Sequence, residues 1–99
     1  MSRLLVELQQ RWGEMFAALA AGDDLPPARR LRTEGLMEAA LLLEEASEEE
    51  LVAAMARCYS AAFGRSLEED FGGDWRDCHP FPEIPAMARR APVYPSAPD

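Results

Sequence analysis

The chain has no lysine and no asparagine, and of its 99 residues only Val6, Thr33, Val52, Ile84 and Val93 are β-branched. So few β-branched residues argue against a sheet, while Ala, Leu, Glu and Arg, all favourable in helices, dominate. Every one of the 10 basic residues is arginine, a bias that reads as a GC-rich bacterial coding sequence and not as a functional device. Two cysteines are too few for a disulfide scaffold. No apolar run reaches membrane-spanning length. Met1–Leu8 lacks the apolar core and cleavage site of a secretory signal and carries Arg3 and Glu7. A cytoplasmic protein with reduced thiols is therefore expected, in contact with no membrane. No glycine-rich phosphate loop is present, because Gly72-Gly73 runs into Asp74, which would repel a phosphate.

Cations are scarce as well. A net charge of −8 argues against binding along a nucleic-acid backbone, which needs clustered positive charge. Residues 47–83 hold nine acids against three arginines, a local balance of −6. A solvated acidic surface accounts for this, although such a surface also steers basic partners.

What is present is helical periodicity. Ser47–Gly64 opens with a capping box, Ser47 with Glu50, and places Glu48, Glu49 and Glu50 where the helix dipole favours them. Leu51, Met55, Cys58 and Ala62 share its apolar face, and Gly64 supplies a left-handed stop. Upstream, Ser2–Ala21 forms a helix with Leu4, Leu5, Leu8, Trp12, Met15, Phe16 and Leu19 in one stripe. Gly22 to Asp24 end it. Pro26 and Pro27 fit the first turn of a second helix running to about Ala46. Its broad face contains Ala28, Leu31, Gly35, Leu36, Ala39, Leu42 and Leu43, and the expectation is that this face turns inward. Leu8, Trp12, Phe16, Leu42, Leu51, Met55, Cys58 and Ala62 then form the predicted core.

Regularity fades after Gly64. Ser66 and Glu69 make a second possible capping box, and Leu67 and Phe71 are placed to close over the end of the helices. Asp74–Asp99 holds six of the eight prolines, which rules out a long helix. Trp75, Phe81, Ile84, Met87, Val93 and Tyr94 interrupt that segment. Residues 75–88 are expected to pack, Ala86–Ala91 is expected to be the only stretch there able to make a turn of helix, and the last five residues are expected to fray. The predicted architecture is all-α: an antiparallel three-helix bundle over 1–73, with an irregular Pro-rich tail over 74–99 packed across it as part of the same domain.

Chemistry-bearing residues are few. Cys58, Cys78 and His79 are the soft ligands, one short of a closed zinc site unless Asp74 or Asp77 joins them. The adjacent Cys78 and His79 point apart in extended chain, so a nucleophilic pair is disfavoured. The acidic pairs lie at helix ends, where capping and solvation explain them, and no inward Glu-x-x-His pattern suggests a di-iron site. Arg29, Arg30 and Arg32 precede Glu34 and Glu38, which does not suit a DNA-reading helix. No catalytic residue, cofactor or metal is assigned. The expected function is non-enzymatic: a small regulator, adaptor or subunit acting through protein–protein interaction. A metal- or redox-active protein built on Cys58, Cys78 and His79 is one alternative, and an acidic decoy for a nucleic-acid-binding protein is another. Met37 and Leu41, flanked by Arg30 and Glu34, stand on the far side of helix two from its broad face. They are the candidate partner-binding residues, with a second copy of the chain as one possible partner, giving a homodimer through helix two.

Overall fold

Ser2 accepts the amide of Leu5 at 3.1 Å and starts α1, Arg3–Ala20. The helix stops in a Schellman motif. Gly22 adopts φ 89°, its N–H donates to Leu19, and the N–H of Asp23 donates to Ala18. The computed structural model describes residues 2–86, and among these all regular structure is helical. Pro27 begins α2, Pro27–Leu42, without a side-chain cap. The Ser47–Glu50 capping box is formed in both directions at the start of α3, Glu48–Phe63, and Gly64 at φ 70° ends it. A second two-way capping box, Ser66 with Glu69, starts the short α4, Leu67–Phe71. Against the expectation that only Ala86–Ala91 could turn helical after Gly73, Trp75–Cys78 makes one further turn, α5, closed by the amides of Asp77 and Cys78 donating to the Asp74 carbonyl before Pro80 stops it.

Helix α2 ends four residues before the expected Ala46. The N–H of Glu44 donates to Leu41 and that of Glu45 to Ala40, which is again a Schellman closure. Here the left-handed position is held by Glu44, at φ 57°, and not by glycine. Nothing in the LLLEEASEEE stretch signals a stop, so the sequence pattern overruns it.

Helix α1 is the central element. It gives Leu8, Trp12, Met15, Phe16 and Leu19 to the core and packs most extensively on α3, less so on α2. Leu51, Ala54, Met55 and Tyr59 come from α3. Phe16, Tyr59 and Phe63 form an aromatic cluster, with Tyr59 and Phe63 stacked at 4.3 Å and Phe16 edge-on to Tyr59 at 5.2 Å. Phe71 extends it, and the Tyr59 hydroxyl donates to Asp70, which Arg65 also holds.

The segment after α4 is tied to the helices at three points. The Trp75 indole is buried and donates to Glu68 at 3.2 Å. Arg76 bridges Glu48 and Glu49 at the start of α3, with its guanidinium held charged chiefly by Glu49. Ile84 is buried, and its N–H donates to the Glu34 carboxylate at 2.8 Å. Trp75, Ile84 and Pro85 are thus the buried residues of this segment, while Asp77, Cys78 and Pro80 are exposed. Met87, Val93, Tyr94, the rest of the Ala86–Ala91 turn and the fraying end lie outside the described residues.

The expected orientation of α2 is largely reversed: of its predicted inward face, Leu36 packs partly buried against the core and Ala39 is half-buried, while Ala28, Leu31, Gly35, Leu42 and Leu43 are exposed. Its buried residues are Thr33, Glu34, Met37 and Ala40, whereas Leu42 is 77 % exposed and Leu31 58 %. The physical reason lies outside the helix. Glu34 faces inward because it accepts the Ile84 amide, fifty positions away, together with the Arg30 guanidinium at 2.9 Å. Small Thr33 and Ala40 on either side suit a close approach to α1, whose buried side chains are large. Of the predicted core, Leu8, Trp12, Phe16, Leu51 and Met55 are buried, Cys58 and Ala62 are half-buried at its edge, and Leu42 is outside it.

Candidate functional site

Three groups of residues come into question. The first is the soft-ligand set. Cys58 lies on α3 against α1, where its thiol donates to the Gln9 carbonyl at 3.8 Å. Burial pushes this thiol up, with Arg57 opposing, so it is a poor thiolate at neutral pH. Cys78 is exposed and donates to Asp74. His79 packs edge-on to Phe71, with Nδ1 3.0 Å from Glu83. Cys58, Cys78 and His79 are not brought together, and among the described residues no three His, Cys, Asp or Glu side chains are placed to hold a metal ion.

The second is the candidate partner-binding set, Arg30, Glu34, Met37 and Leu41. Met37 is fully buried and Glu34 nearly so, with Arg30 folded onto Glu34. These three hold α2 and the Ile84 segment to the core, so the stripe assigned to a partner is the inward face. Leu41 alone remains at the surface. It lines an open notch of about 330 Å³ with Glu44, Glu45, Ala46, Ser47 and Glu50.

The third is the face that the sequence assigned to the core. Leu31, Leu42 and, at the C-terminal cap, Leu43 project into solvent, the last at 66 % exposure. With Leu41 they make up all but one of the large exposed hydrophobic residues described, Val6 being the other. Ala28 and Gly35 are exposed on the same side, and a Cβ added at Gly35 would meet nothing within 4 Å. Arg32 and Glu38 flank the face, both exposed and neither in an ion pair among the described residues. Each also lacks an opposite charge three or four positions away along the helix.

This face had one legible signal. Leu41, Leu42 and Leu43 in succession sweep about 200° of a helix, so they cannot all point inward. Among the described residues no helix is long and apolar enough to cross a membrane. No protein-family model matches the chain, and no curated protein and no solved structure matches it.

Proposed function

We propose that this is a non-enzymatic protein that acts by docking the outward face of α2 onto another protein. The observation that carries the reading is the exposure of Leu31, Leu42 and Leu43 on one helix, in a chain whose other helices keep their large apolar side chains largely inside. Clustered exposed leucines are costly in water and mark interaction surfaces more often than scattered ones do. The net charge of −8 favours a protein over a nucleic acid as the partner. The architecture that goes with this reading is an antiparallel three-helix bundle with the Pro-rich segment laid across it, so that α2 has one side on α1 and the other free.

The test is site-specific crosslinking in the native cell. A photoreactive residue at Leu42 should give discrete protein adducts, and the same residue at Ala61, exposed on α3, should not. Equal adduct patterns at the two positions, or none at Leu42, would overturn the reading.

A further inference from the structure

Helix α2 carries two faces that could pack, and the structure buries the less apolar one. Its inward side holds Thr33, Glu34, Met37 and Ala40. Ala28, Leu31, Ala39 and Leu42 lie within about 40° of Gly35 around the helix axis, given 100° per residue. No charged residue falls inside that arc, and its centre is roughly 170° from the centre of the inward side. Periodicity alone would bury the leucines and leave Glu34 in water.

What holds the observed packing comes from outside the helix. Glu34 is 9 % exposed, and its carboxylate accepts the Ile84 amide at 2.8 Å and the Arg30 guanidinium at 2.9 Å. A buried carboxylate is costly unless it is hydrogen-bonded, so the Ile84 amide offsets part of what burying Glu34 costs. Little else fixes the rotation of α2. The helix packs on α1 without comparable contact to α3, and no side chain caps its start. Among the described residues, its one other side-chain polar tie to the rest of the fold is Arg29 to Glu14, an ion pair between two exposed side chains.

We infer that the 80–86 segment is a switch that decides which face of α2 is outward. With Ile84 seated, Glu34 turns in and the leucines face water. With the segment withdrawn, Glu34 loses its amide partner, and α2 re-seats on α1 with Leu31 and Leu42 inside and Glu34 and Met37 outside. Two packings of one helix, separated by one hydrogen-bonded carboxylate and a few apolar side chains, make an equilibrium that a single contact can tip. The inference rests on the reading of the outward face of α2 as the docking face and names its regulation. Withdrawing or capturing the segment hides that face.

Single engineered cysteines read the two faces in the purified full chain. Leu42→Cys and Thr33→Cys are made separately in a background of Cys58→Ala and Cys78→Ser. With the segment seated, a soluble maleimide should label position 42 at least about tenfold faster than position 33, which is 1 % exposed. Ile84→Asp sets a second carboxylate against Glu34 and drives the segment out. Labelling at position 42 should then slow at least about fivefold, and labelling at position 33 should speed up at least about tenfold. Unfolding, or an α2 that merely comes loose, cannot slow position 42. Ile84→Ala, which keeps the amide and shortens the anchor, is the milder variant and should move both rates in the same directions by less.

A rate at position 42 that falls in neither variant overturns the inference, as does a rate at position 33 that rises in neither. The labelling is done without a partner and is therefore independent of crosslinking at Leu42 in cells. An unchanged rate with discrete adducts removes the switch and leaves the proposed function standing. A slowed rate without adducts keeps the re-seating of α2 and removes the docking role.

Discussion

Met37 and Leu42 sit on the same helix and are both large and apolar, yet replacing each by alanine should have opposite consequences. Met37 is 0 % exposed and Leu42 is 77 % exposed. Met37→Ala removes the outer part of a fully buried side chain and leaves a gap beside α1. Such truncations cost about 2–5 kcal/mol, made up of lost transfer energy and a cavity term that grows with the volume left empty. Helix α2 packs chiefly on α1 and has a free side, so it can settle partly into the gap. That places the expected loss at the lower end, about 2–3 kcal/mol. For a chain of this length the total stability is on the order of 5–15 kcal/mol, and the melting temperature should fall by roughly 10–15 °C. Leu42→Ala removes a side chain that faces mostly water and exchanges one good helix former for another, so its effect should stay within about 0.5 kcal/mol. Urea unfolding followed by circular dichroism, at about 1 μM chain so that association does not contribute, measures both. Equal losses at the two sites, or a larger loss at Leu42, would refute the assignment of the inward face of α2.

Three further outcomes follow from the same contacts. Glu34→Ala should cost about 1–3 kcal/mol, because it leaves the Ile84 amide and the Arg30 guanidinium without their acceptor, and amide exchange of Ile84 should accelerate more than that of Leu51. Glu44→Gly should stabilise the chain by up to about 1 kcal/mol in thermal unfolding, since glycine occupies the left-handed position without the Cβ conflict that Glu44 carries at φ 57°. Under native conditions at pH 8, a soluble thiol reagent should label Cys78 well before Cys58. Cys58 labelling should rise only as the pH moves above the ordinary thiol range, because burial raises that thiol, and comparable rates at the two sites would contradict its placement.

The helices were legible where their signals are local. Both capping boxes and the Gly64 stop depend on residues within about one turn of each other, the apolar stripe of α1 repeats within a single helix, and all are present in the structure. Two features of α2 were not legible, for different reasons. Its end depends on Glu44 accepting a conformation that sequence reading reserves for glycine or asparagine. Its orientation depends on a carboxylate and an amide fifty positions apart, which no periodicity within the helix encodes. Counting leucines favoured the wrong face, because Leu31, Leu42 and Leu43 outnumber Met37 as large apolar groups.

The bond from Glu34 to Ile84 also bears on how the chain opens. Helix α2 has α1 as its main helical neighbour, and the stretch around Ile84 is fastened to α2 through a single carboxylate. Each helps to hold the other in place. Losing the segment strips Glu34 of the amide it accepts, and lifting α2 exposes Ile84. The two should therefore leave and return as one cooperative unit, while α1, α3 and α4 keep their aromatic cluster closed. Since that unit joins parts of the chain far apart in sequence, its assembly requires closing a long loop, and it belongs among the last contacts to form when the protein folds.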